Sequence, residues 1–220
     1  MVSRGQDMSV QNVFSPKASR IVRVLLLSPE AEWGILNLSK EAKTAYGHTY
    51  RVVRTLSKLG LCRKTETNRV KVANPGELLS RWAAYYDFNL VNGVKGYFSM
   101  ERNLDSLLGK LSSIGKGDSK YALTLHVGAS LIAPYVRPAS LHLYVEDDVE
   151  RWVERLGLQP VELGGNVYLV RPYDESVFYG VQEVRGLCVV SNIQLYVDLY
   201  NYPARGREAA EHLRKEAIRF

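Results

Sequence analysis

Residues 45–61 read AYGHTYRVVRTLSKLGL. Thr49, Val53 and Leu56, with Val52 beside them, recur at helical spacing and mark one apolar face. Leu59, Gly60 and Leu61 end the run with a glycine able to take the left-handed conformation that closes helices. His48, Tyr50, Arg51, Arg54 and Lys58 fall on the opposite side, so the helix is apolar towards a core and cationic towards solvent. Two strand-like runs follow, 61–64 and 69–73, joined by the polar tip 65–68.

Upstream, Ser15 followed by Pro16 is a helix start, with Ser as N-cap and Pro at the first helical position. Ile21, Val24 and Leu25 carry that helix to about Ser28 and Pro29; 33–35 then suits a short strand and 37–42 a brief second helix. Downstream, Leu78, Leu79 and Trp82 make 75–86 a packing or connecting helix. Residues 1–15 lack periodicity and are expected to be a flexible tail. Three helices and a basic hairpin in this order resemble the winged helix-turn-helix of transcription regulators, over roughly 16–82. The resemblance implies that the third helix enters the major groove, with His48, Tyr50, Arg51 and Arg54 at base edges or nearby phosphates and Lys58 also among the DNA-binding residues. Lys64, Asn68, Arg69 and Lys71 would then supply contacts from the hairpin. Arg51 and Arg54 are the best candidates for reading guanine, because arginine bonds O6 and N7 together.

Charge supports a basic module. Residues 1–82 carry 14 Lys and Arg against 6 Asp and Glu, a net of +8, whereas 83–220 carry 15 against 17, a net of −2. The excess positive charge of the chain therefore sits in its first third, the pattern of a polyanion-binding head joined to a part with another task. The alternative, a solvated helix face or a protein-docking winged helix, stays open at this point.

The remaining residues, 87–220, read as a second, mixed α/β domain, making the chain α+β overall. Residues 97–114 have Leu104, Leu107, Leu108 and Leu111 on one side and suggest an amphipathic helix, followed by a flexible stretch at 115–120. Strands are expected at 121–125, 141–145, 167–171 and 187–190. Helices are expected at 127–132, at 149–156 with Trp152 inward, at 191–200, and at 206–218 with Glu211 and Lys215 in support.

The segment VVSNIQLYVDLYNYPARGREAAEHLRKEAI, 189–218, looks like the C-terminal signature of the AbiEi family, antitoxins of type IV toxin-antitoxin systems. The earlier YALTLHVGASLIAPYVRP and LHLYVED are similar to the front half of the same domain. Residues matching the signature are Ser191, Gln194, Tyr196, Asp198, Leu199, Arg205, Gly206, Glu208, Ala209, Ala210 and Leu213. The resemblance implies an N-terminal domain that represses its own operon and a C-terminal domain that counters a nucleotidyltransferase-like toxin. Ser191 is placed to cap the helix carrying Gln194 and Asp198, and Asp198 and Arg205 to pair across the turn at 201–204.

Two other readings compete with the antitoxin. One is a winged-helix regulator whose second domain senses a small molecule. The other is a degenerate or active nucleotidyltransferase, with Gly128, Ala129 and Ser130 as a phosphate turn and Asp147 and Asp148 as Mg²⁺ ligands. Adjacent carboxylates on a strand point to opposite faces, and Val149 onwards is helical in pattern, so a helix start fits the two aspartates better. No Ser/His/Asp arrangement, Walker loop or dinucleotide fingerprint is visible. Cys62 and Cys188 lie in apolar segments without metal-ligand spacing, nor do the four histidines show a ligand pattern. We therefore expect no catalytic residues, no metal and no cofactor. Apolar runs are as short as 24–27, far below the roughly 20 residues of a membrane span. The start of the chain lacks an apolar signal stretch. The expectation is a cytoplasmic protein with double-stranded operator DNA as partner and no membrane; a toxin partner and a homodimer stay open.

Overall fold

Pro16, with its fixed φ and no amide hydrogen to satisfy, opens the first helix of the computed structural model, α1 (Pro16–Leu27). The structure describes residues 13–101, 103–114, 120–146 and 149–220. These form two compact units parted between Tyr85 and Tyr86, with Phe220 grouped with the first. Most of the tail expected over 1–15, the flexible stretch at 115–120 apart from Lys120, and the Asp147–Asp148 pair lie outside the described residues. Val13 and Phe14 do not belong to a tail: both are buried, because their apolar side chains have a core to enter.

In the first unit, α1 is followed by α2 (Ile35–Glu41), α3 (Tyr46–Lys58), the strands β1 (Cys62–Lys64) and β2 (Val70–Val72), and α4 (Pro75–Tyr85). The strand expected at 33–35 shrinks to one bridge, in which Trp33 and Val70 exchange both backbone hydrogen bonds at 2.8 Å. Gly34 then takes the N-cap position and the helix begins at once with Ile35. α3 buries Thr49, Val52, Val53, Thr55 and Leu56. It closes with Leu61 N–H bonding the Leu56 carbonyl and Gly60 N–H the Ser57 carbonyl, around a Gly60 φ of +73°. That pair of bonds satisfies carbonyls the helix end leaves open, and only glycine enters the required region without strain. β1 and β2 pair antiparallel, Cys62 opposite Val72 and Lys64 opposite Val70. Arg23, fully buried on α1, lies 5.1 Å from the centroid of the buried Trp82 ring of α4.

The second unit contains α5 (Phe88–Val91), β3 (Gly93–Ser99), α6 (Leu104–Ser113), β4 (Tyr121–Leu123), α7 (Leu125–Ile132) and β5 (Leu141–Val145). It continues with α8 (Val149–Leu156), β6 (Leu158–Pro160), β7 (Val167–Arg171), β8 (Gln182–Val184), β9 (Leu187–Val189), α9 (Asn192–Tyr200) and α10 (Gly206–Leu213). Its strands form one mixed seven-stranded sheet in the order β6-β3-β7-β5-β4-β9-β8, with β5/β7 and β4/β9 parallel. The chain is thus α+β. The single helix expected over 97–114 is two elements. Tyr97 and Phe98 pair with β6 and β7, and the helix starts only where the Asn103 side chain accepts the Asp105 amide at 3.0 Å. α9 is buried from Ile193 to Leu199, so it is packed all round rather than along one stripe. The last helix ends early as well, turning into a π-helical segment at Arg214–Ile218.

Candidate nucleic-acid interface

α3 is amphipathic in the sense that matters for a polyanion. With its core face occupied by Val52, Val53 and Leu56, the residues left exposed include Tyr50, Arg51, Arg54 and Lys58. The stretch 45–61 contains no acidic residue, so nothing on α3 offsets these charges. Gly47 lies under the Arg51 guanidinium: a Cβ there would stand 3.9 Å from its Nη1. His48 is half-buried, and burial, followed by the charges of Arg51 and Lys17, holds its imidazole below the ordinary value. Its Nε2 is buried and has no hydrogen-bond partner. His48 also borders a pocket of about 240 Å³ lined by Lys17, Arg20, Lys43, Thr44 and Ala45.

The hairpin is more restrained than its charge suggests. Lys64, Asn68 and Arg69 are exposed, and Asn68 adopts the left-handed conformation (φ +56°) that turns the chain. Lys71 is in an ion pair with Glu30, 2.5 Å between Nζ and Oε2, and the lysine holds the Glu30 carboxyl below its usual range. Glu32 Oε2 accepts from both Thr65 (3.2 Å) and Thr67 (3.0 Å), fastening the tip of the hairpin. Sequence reading missed both glutamates. No local signal could reveal them, since they reach the hairpin only through the fold.

The C-terminal signature residues make contacts within their own unit. Ser191 Oγ accepts the Gln194 amide at 3.2 Å and so caps α9. Asp198, fully buried, accepts from Gln194 Nε2 (2.7 Å), Thr124 Oγ1 (2.5 Å) and Tyr144 OH (3.1 Å). Burial pushes its carboxyl up to about 6, against those hydrogen bonds, which favour the charged form. The pairing of Asp198 with Arg205 does not occur: Asp198 faces the interior, whereas Arg205 is exposed and bonds Glu208 Oε2 at 2.7 Å and Tyr135 OH at 3.1 Å. Tyr196 OH donates to Glu211 Oε1 at 2.8 Å, tying α9 to α10 and engaging the glutamate expected to support Lys215. Gly206 begins α10 where a Cβ would stand 2.3 Å from the Leu199 carbonyl oxygen, so a hydrogen is the largest substituent that fits.

The phosphate turn of the nucleotidyltransferase reading is also absent from 128–130. Those residues lie inside α7, and a Cβ on Gly128 would meet Leu195 Cδ2 at 2.8 Å and the Leu123 carbonyl oxygen at 3.1 Å. The glycine serves close packing on α9, and Ser130 Oγ bonds back to the Val127 carbonyl. Among the described residues no group of three or more His, Cys, Asp and Glu side chains stands ready for a metal ion. Burial pushes the Cys62 thiol up to about 12, while Cys188 is half-buried; neither forms a disulfide. None of the helices in the described residues is long and apolar enough to cross a membrane.

A family model described as a transcriptional regulator, AbiEi antitoxin of type IV toxin-antitoxin systems, matches residues 71–219. The chain belongs to the AbiEi antitoxin family. The family is one of regulators, and the matched region takes in the last two residues of β2, α4 and the whole sheet of the second unit. No curated protein and no solved structure matches the chain. Of the nine residues expected at DNA only Lys71 falls inside the AbiEi match, so the α3 face rests on its own geometry.

Proposed function

We propose that this AbiEi-family chain is a cytoplasmic DNA-binding regulator that represses its own operon and counters a nucleotidyltransferase-like toxin, the first task falling to the N-terminal unit and the second to the unit beyond it. The observation that carries the DNA half is the exposed row Tyr50, Arg51, Arg54 and Lys58 on α3, a helix without carboxylates, followed by a hairpin presenting Lys64, Asn68 and Arg69. In this reading the first unit is a winged helix-turn-helix: α3 lies in the major groove, and the hairpin rests on the sugar-phosphate backbone. Family membership supports the regulatory and antitoxin half.

The test is binding of the full chain to its own promoter fragment, by fluorescence anisotropy at fixed salt. Replacing Arg51 and Arg54 together by alanine is expected to lower affinity by about 1–3 kcal/mol for each arginine that reads a base. An unchanged affinity overturns the assignment of α3 as the reading helix. For the second half, growth rescue of cells carrying the cognate toxin is expected with the full chain, and no rescue overturns the antitoxin role.

A further inference from the structure

We propose that the pocket between the start of α1 and the turn entering α3 is a binding site for a single phosphate group. Lys17 and Arg20 come from α1, Lys43, Thr44 and Ala45 from the turn after α2, and His48 from α3. Four nitrogen-bearing side chains from three segments thus face one concavity, and no carboxylate lines it among the described residues. Arg20 Nη1 bonds the Lys43 carbonyl at 3.4 Å, which joins the two walls and leaves the lysine ammonium groups of Lys17 and Lys43 as the flexible arms.

Size restricts the ligand. At about 240 Å³ the pocket falls below the roughly 300–1,000 Å³ of sites that enclose a drug-sized molecule, so it suits a phosphate with its nearest waters better than a whole nucleotide. Gathering like charges costs energy that an anion recovers, and the His48 imidazole beside them is held below its ordinary value by burial first and then by the charges of Arg51 and Lys17. The phosphate has two sources of the same chemistry: the DNA backbone, in which case the site rests on the DNA-binding reading above, or free phosphate.

The experiment compares the full chain with a Lys17→Gln, Lys43→Asn double variant; Asn tolerates the left-handed conformation of residue 43 (φ +49°), and equal Tm values check the fold. Inorganic phosphate is titrated against chloride at constant ionic strength while NMR follows the amides of residues 43–48 and the His48 ring. Saturable shifts that vanish in the variant support the site, and their absence from the wild type overturns it. Salt dependence of DNA binding then names the source. A slope smaller by about one unit in the variant means that the pocket holds a backbone phosphate, and an unchanged slope means free phosphate. Phosphate binding by a chain that binds no DNA keeps the site and sinks the DNA-binding reading instead.

Discussion

In the proposed complex Glu30 would compete with DNA for Lys71. A backbone phosphate can take the ammonium only by displacing a carboxylate already in contact with it, so Lys71 yields less counterion release than a lysine without such a partner. Glu30→Gln is expected to tighten DNA binding at low salt, and Lys71→Ala to lower the salt slope by less than one unit. A weaker Glu30→Gln complex would mean that the ion pair holds the hairpin in its binding shape. The second unit buries two titrating groups with opposite consequences. Asp198, raised to about 6, gives stability that is full below its unfolded value and lost as pH rises through 6. His142 is held down to about 4 by burial and then by the charge of His126, so its contribution is full above its unfolded value and lost as pH falls through 4. Between about pH 4 and 6 the two slopes oppose each other, each worth up to about 3 kcal/mol across its shift. Urea unfolding should therefore vary little with pH in the wild type. Asp198→Asn should expose stability rising with pH, and a wild-type-like flat profile in that variant would sink the pairing of the two effects.

At the scale of elements, α9 and α10 meet through a glycine. Gly206→Ala would drive a methyl group into the Leu199 carbonyl, and about 3 kcal/mol of stability should be lost. Gly109, inside α6 with open space around it, is the contrast: Gly109→Ala should stabilise by about 0.5–1 kcal/mol through helix propensity alone. Denaturant midpoints check both signs. The same contrast explains what can be read in the sequence. α3 and its Gly60 stop are legible because apolar period and a terminal glycine are local signals. The solvent face from His48 to Lys58 follows from them. Residues 97–99 mislead because Tyr and Phe spaced ahead of a Leu-rich helix extend its pattern, while the pairing that makes them a strand comes from residues about 60 and 70 positions away. The expected pairing of Asp198 with a near neighbour fails for the same reason. Its partners Thr124 and Tyr144 stand 74 and 54 residues back, and the glutamates and lysines around the hairpin and the pocket meet only by folding.

For the whole molecule, the division of charge and the division into units coincide. The second unit has its own sheet and a buried central helix, and residues 83–220 carry a net charge of −2. A fragment of residues 86–220 should unfold cooperatively by circular dichroism, fail to bind the promoter, and still protect cells from the cognate toxin. Protection by residues 1–85 in its place would reverse the proposed division of labour.

The parallel pairing of β4 with β9 sets a timetable for synthesis. Leu123 cannot find Val189, nor Thr124 find Asp198, until nearly the whole chain has left the ribosome. The first unit is made of residues up to Tyr85 and, beyond them, Phe220 alone. At the usual pace of about 5–20 residues per second, on the order of 10 s separates the two completions. During that interval each nascent chain carries a nearly finished basic head on an unfinished body, so, under the proposed function, occupancy of the operator could begin before the rest of the molecule is ready to act.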